Sequence, residues 1–409
     1  MLQQILTSAD FWKHASIPVV AAVIGWATNW VAIRLTFKPL EFVGIPPYLG
    51  WQGIIPSKAG KMAGIFVDST MHRLGTLDEL FRAMEPEEIA RHISELMDAR
   101  LEAYTDEVMF YGRPRLWRLL PGPMKQRVYD RVREQMPRLV DNLVEEITEN
   151  LEELIDFRQM LVDRLENDKG LLNRLFQESG EKEFRFIIIS GFWFGLFFGL
   201  VQLAVWIFYR GWWVLPAFGI LVGYATNWFA INIIFRPLRP TRIGPYTVQG
   251  LFLKRQKEVA AVWCRLVTSE IITLQHIIYA MVYGPRSARA KALIQKHIRP
   301  IVDEVLDGFP APAQAVVGGE GVDDLRDSVG RKAVEVSTDP FDHWPFNRDR
   351  ARRAEQLLRE RMESLPSEEF QDLLRPCFQE DELKLILTGA VLGFLAGWAQ
   401  LVFVFGGAG

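Results

Sequence analysis

The chain has 409 residues, with 47 Lys and Arg against 50 Asp and Glu, and a formal net charge of −3. That balance gives no electrostatic ground for nucleic-acid binding. Two cysteines, Cys264 and Cys377, allow one bridge at most and exclude a disulfide framework. The hydrophobic share is an ordinary 49%, but it is gathered into a few long runs separated by stretches rich in Glu, Arg and Leu.

In chain order, residues 1–14 form an N-terminal segment and residues 15–37 the first long apolar run. A bilayer core about 30 Å thick needs roughly 20 apolar helical residues, and the run is long enough despite Thr28, Asn29 and Arg34. Arg34 lies near its end, where a long side chain reaches the headgroups. The segment before it contains Asp10, lacks a basic leader and is followed by no small-residue cleavage site. The run therefore reads as a retained helix rather than a removed leader.

Residues 38–185 form a first soluble insert. Its apolar residues Leu139, Leu143, Ile147, Leu151, Leu154 and Leu161 fall at three- and four-residue spacing, which predicts amphipathic helix. A second such pattern starts at Pro86, with breaks at Gly112–Pro114 and Pro121–Pro123. Spans two (186–209) and three (212–235) are separated only by Arg210 and Gly211, which predicts a tight transmembrane hairpin. Trp206, Tyr209, Trp212 and Trp213 cluster at its tip and read as an interfacial aromatic belt. A second insert covers 236–384, with a charged helix at 349–365 and a predicted flexible loop at Gly308–Gly321. The fourth span is 385–405. The fold class expected is all-α, with four transmembrane helices and two large helical soluble inserts.

The chain repeats itself. Gly25-Trp26-Ala27-Thr28-Asn29-Trp30 recurs as Gly223-Tyr224-Ala225-Thr226-Asn227-Trp228, an offset of 223 − 25 = 198. The same offset carries Phe37-Lys38-Pro39-Leu40 onto Phe235-Arg236-Pro237-Leu238 and Pro47-Tyr48 onto Pro245-Tyr246. It also carries Gly191, Gly195, Gly199 and Gln202 onto Gly389, Gly393, Gly397 and Gln400. Within the inserts, Phe176-Gln177-Glu178 resembles Phe378-Gln379-Glu380. Each copy holds an even number of spans, so both copies enter the membrane in the same direction and both inserts fall on one side. Lys38, Arg185, Arg236, Arg239, Arg242 and Lys384 flank the inserts, against Lys13 and Arg210 on the other face. The positive-inside rule then puts the inserts in the cytoplasm and both termini opposite, for a multi-pass protein of the inner membrane.

Three groups of residues stand out. Gly191, Gly195 and Gly199, with Gly389, Gly393 and Gly397, make small-residue ridges for close helix packing. Thr28, Asn29, Thr226 and Asn227 read first as hydrogen-bonding glue across those ridges, and second as an intramembrane polar site for a headgroup or permeant. After each span end comes a Gly-, Pro- and aromatic-rich connector, then Lys58 and Lys61 in copy one and Lys254, Arg255 and Lys257 in copy two. These are candidate contacts to lipid phosphates, or solvated helix starts.

Ala-Thr-Asn-Trp-Val-Ala-Ile-Arg-Leu-Thr-Phe-Lys-Pro, Gln-Gly-Ile-Ile-Pro-Ser-Lys and the Gly-x3-Gly-x3-Gly-x2-Gln ending resemble the domain-of-unknown-function family 445 (DUF445), the YheB/YjiN-type group of bacterial membrane proteins. The resemblance covers nearly the whole chain, twice. Copy two departs from it at Leu251-Phe252-Leu253-Lys254, where the Ile-Pro proline is missing. It implies residence in a bacterial membrane and no agreed activity. Gly53–Lys61 has the wrong spacing for a phosphate loop, Glu88, His92 and Glu95 read as solvated surface rather than a metal site, and no nucleophile elbow is present. The expectation is a protein that is not an enzyme and uses no cofactor and no metal. Its expected partners are membrane lipids, a protein bound through the inserts, or further copies of itself. A scaffold is the leading function and a transporter or lipid-transfer protein the alternative.

Overall fold

The structure is a computed structural model that describes residues 9–45, 49–112, 114–209, 211–307, 311–375 and 382–406. The Pro47-Tyr48 match, Arg210, Cys377, the Phe378-Gln379-Glu380 match and residues 1–8 of the N-terminal segment lie outside them. The chain is almost wholly helical. Among the described residues, nine helices exceed twenty residues: α1 Ala9–Phe37, α2 Pro86–Gly112, α3 Gly122–Glu149, α4 Glu181–Phe208, α5 Val214–Phe235, α6 Ser287–Asp307, α7 Ala311–Val336, α8 Trp344–Ser364 and α9 Glu382–Phe405. Four of them, α1, α4, α5 and α9, are long and apolar enough to cross a membrane. Gln256–Ile271 and Leu274–Tyr283 reach a comparable composition only when joined, and they bend by 40° at their junction.

The chain divides into two compact units, and the division cuts across both inserts. Unit 1 comprises residues 1–69, 165–263 and 362–409, and unit 2 comprises residues 70–164 and 264–361.

In unit 1 the first and last spans of each copy pair with each other, α1 along α4 and α5 along α9. Ile17, Trp206, Val214, Leu215 and Leu401 form a buried core, and Phe405 lies 5.0 Å from the Trp206 ring. The outward faces carry exposed Val19, Val23, Trp193, Phe197, Val391 and Trp398. An apolar surface of that extent suits hydrocarbon, not water. Trp206 corrects the reading of the hairpin tip. It is 2% exposed, whereas Tyr209, Trp212 and Trp213 are exposed. It falls four residues after Gln202 and seven after Gly199, on the helix face turned to the bundle.

Unit 1 also contains two short antiparallel hairpins. β1 (Val43–Ile45) pairs with β2 (Leu49–Trp51), and β3 (Thr241–Ile243) pairs with β4 (Tyr246–Val248). They sit in the connectors, where Pro39 and Pro237 end regular helix and Gly44 and Gly244 take positive φ.

In unit 2, helices α2, α3, α6 and α7 close a ring, each packing on the next and α7 returning to α2. The first insert supplies α2 and α3, and the second supplies α6 and α7. Each edge of the ring carries an ion pair. Arg133–Asp98 lies at 2.7 Å, Lys296–Glu146 at 2.7 Å, Arg326–Asp303 at 2.6 Å and Lys332–Glu107 at 2.8 Å. Half-exposed pairs of this kind add little energy but favour one register. The loop expected at Gly308–Gly321 is a helix from Ala311 onward. Pro312 stands in its first turn, where the missing N–H breaks no helical bond. Packing of α7 on α6 and α2 outweighs the low helix propensity of three glycines.

Candidate functional site

The glycine ridges bring the spanning helices to backbone contact. A β-carbon on Gly25 would strike the Gly191 carbonyl oxygen, and one on Gly191 would strike Gly25 and stand 2.6 Å from the Asn29 amide nitrogen. Copy two repeats the arrangement with Gly223 against Gly389 and Gly219 against Gly393. Gly195 and Gly199 close on Ala21 and Pro18, and Gly397 on Leu215. Contact this close excludes any side chain larger than hydrogen.

The Thr-Asn pairs lie on these seams and are buried. Asn29 Nδ2 donates to the Ile187 carbonyl at 2.7 Å, and Asn227 Nδ2 donates to the Leu385 carbonyl at 2.7 Å. The acceptors obey the same offset, 385 − 187 = 198. Thr28 Oγ donates back to the Gly25 carbonyl at 3.2 Å, and Thr226 Oγ to the Val222 carbonyl at 2.8 Å. Among the described residues Asn29 Oδ1 and Gln400 Nε2 are buried and have no hydrogen-bond partner. Each pair thus turns its hydroxyl and one amide N–H onto helix backbone, where the glycine contacts bring α1 against α4 and α5 against α9.

The connectors close in the same way twice. Gly53 N–H donates to the Pro39 carbonyl at 2.9 Å and Gly250 N–H to the Pro237 carbonyl at 3.0 Å. Gln52 Nε2 donates to the Leu40 carbonyl at 2.7 Å and Gln249 Nε2 to the Leu238 carbonyl at 3.3 Å. One-turn helices follow at Ile54–Ser57 and Leu251–Lys254, so the turn survives loss of the proline in copy two. Each connector is then tied by an ion pair of reversed sign. Glu41 meets Lys169 at 3.0 Å, and Arg239, the counterpart of Glu41, meets Glu368 at 2.8 Å.

The basic residues after the connectors differ in environment. Lys61, Lys254 and Lys257 are exposed, and Lys58 is half-buried. Arg255 is committed within the protein. It pairs with the buried Glu183 and with Glu258, which also takes Lys182 at 3.1 Å. Hydrogen bonds from Arg255 and then Lys182 hold the Glu258 carboxyl below the usual carboxylate range.

Sequence reading missed the interior of unit 2. The helix ring lines an apolar cavity of about 240 Å³ that opens to the surface. Every residue that α3 and α6 contribute to it is aliphatic or Met, from Val128 to Ile147 and from Ile294 to Leu306. Its polar wall groups, Tyr104, Thr105, Lys332 and Ser337, come from α2, α7 and the turn after α7. Protein interiors are normally filled to within a water-sized gap. The sequence signal was the run of Val, Ile and Met along one face of α3 and α6 with no bulky ring among them, which periodicity alone reads as ordinary core.

Among the described residues no group of three His, Cys, Asp or Glu is placed to hold a metal. His92 stacks on Phe346 with centroids 3.8 Å apart, and Glu88 pairs with Arg91.

Four span-length apolar helices with an apolar outer surface define an integral membrane protein. Over 91 residues the chain is 38% identical to a UPF0754 membrane protein of Synechococcus elongatus, and to the same extent to a UPF0754 membrane protein of Synechococcus sp.. The aligned stretch is 21% of this chain and 19% of each relative, so the match spans about a fifth of the curated relatives' length. These relatives make the chain similar to an uncharacterised family of membrane proteins. No family model and no solved structure matches.

Proposed function

We propose that this protein is a non-enzymatic scaffold of the bacterial inner membrane. In this reading it is built from two tandem copies of the family-445 domain, and its cytoplasmic inserts hold a lipid or a protein partner at the membrane surface. The observation that carries the reading is the use of Asn29 and Asn227. A transport site needs polar groups turned toward a path, whereas both amides donate to backbone carbonyls inside a closed glycine seam. The spanning helices then serve as an anchor. Lys58, Lys61, Lys254 and Lys257 are proposed to meet lipid phosphates. Arg255 serves instead to neutralise Glu183, whose buried carboxyl would otherwise be left as a lone charge.

The transport alternative is separable by experiment. Full-length protein in vesicles doped with a fluorescent phosphatidylethanolamine is treated with dithionite, which bleaches only the outer leaflet. The scaffold reading expects bleaching equal to that of protein-free vesicles. Faster exchange between leaflets, lost on Asn29→Leu while the protein stays folded, would establish the transport reading instead.

A further inference from the structure

We propose that the cavity of unit 2 takes one acyl chain of a membrane phospholipid, with the headgroup left outside. The inference rests on the scaffold reading above and names the ligand that the helical body holds. The lining residues of α2 run from Ile89 to Met109, and 20 residues at about 1.5 Å each extend the lining about 30 Å along the helix. A compact solute does not fill such a space, whereas an extended hydrocarbon chain does. The space is also large enough, since an apolar cavity of about 150 Å³ already binds benzene and this one measures about 240 Å³.

α3 and α6 offer no hydrogen-bonding side chain to an occupant, so a ligand with polar groups along its length would lose its hydration unpaid. Lys332, on the opposite wall, is already bonded to Glu107 at 2.8 Å and Glu335 at 3.0 Å. Tyr104 donates to Asp339 at 3.0 Å. Lys332 is thus already taken up by two carboxylates and is not available to the carboxylate of a fatty acid, which favours a chain whose charge lies outside the cavity. Met97, Met136 and Met281 in the lining can adjust to chains that differ in unsaturation.

The test uses the full chain in nanodiscs of phosphatidylethanolamine and phosphatidylglycerol doped with a phosphatidylcholine carrying a mid-chain diazirine. After photolysis, adducts are mapped by peptide. A parallel sample receives a diazirine fatty acid. Phospholipid adducts are expected on residues 128–147 and 294–306, and they should be lost in Val302→Trp while adducts on α1 and α4 persist. Should that variant fail to fold, the milder Met136→Phe with the wild-type map decides. Adducts confined to the spanning helices of the wild type, or unit 2 adducts from the fatty acid alone, would overturn the proposal. Either result leaves the dithionite outcome, and so the scaffold reading, standing.

Discussion

Asn29 and Asn227 each bring an amide group into a seam where water cannot satisfy it. Hydrogen bonds between helices in lipid are worth about 0.6 to 2 kcal/mol, so Asn29→Ala and Asn227→Ala should each destabilise the folded protein by about 1 kcal/mol. The two effects should add, since the sites lie on separate helix pairs. Gly191→Ala and Gly389→Ala should cost more, because the added carbon meets backbone that can yield only by separating the helices. Thermal melting of the detergent-solubilised protein orders the four variants, and an Asn loss exceeding the Gly loss would contradict this account. Residue chemistry also sets a pH limit in unit 2. Burial, then the Arg164 charge, lowers the proton affinity of His276, and burial with the nearby His343 charge does the same for His92. Each folded pKa lies below the unfolded value of about 6.5, so between the two the unfolded chain binds more protons. The stability they contribute is complete above that value and is lost as the pH falls through it. Glu146, held below the usual range by Lys296 and then His297, gives way only in stronger acid. The melting temperature should therefore drop from pH 7.5 to pH 5.5, with a shallower drop in His276→Gln, and an unchanged slope in that variant would refute the assignment.

Elements were legible to the extent that one stripe determined them. The spans stood out because about 20 apolar residues in a row have one physical meaning, and α2, α3 and α8 because their period is helical. Three features were hidden because they depend on tertiary partners. Arg255 looked like its lysine neighbours until Glu183 was seen beside it, Trp206 looked like Trp212 until its face was known, and the glycines of α7 hid a helix that packing enforces. The hairpins were missed because three-residue strands carry no usable alternation. The reversed ion pairs offer a test at this scale. Glu41→Lys or Lys169→Glu alone should destabilise unit 1 by up to about 1 kcal/mol, and the double swap should restore stability. A double swap no better than the singles would show that the pair does not matter. The cavity offers another. Val132→Ile or Val302→Ile extends the lining by one carbon, worth up to about 0.8 kcal/mol of burial, and should raise the melting temperature of delipidated protein. A fall would mean that the space is not available.

For the whole molecule, duplication explains why equal contacts recur 198 residues apart in the spans and connectors while the inserts have diverged. It also explains why one helix ring draws two helices from each insert. On the proposed reading both inserts leave the membrane on the same face. Cysteine labelling tests that claim directly. In a background lacking Cys264 and Cys377, single cysteines replace the exposed Asp141 of the first insert, the exposed Arg299 of the second and Gly211 of the hairpin. Each variant is treated with a membrane-impermeant maleimide in intact cells and in inside-out vesicles. The account expects 141 and 299 to label only in the vesicles and 211 only in the cells, whereas labelling of 141 and 299 from opposite sides would contradict it.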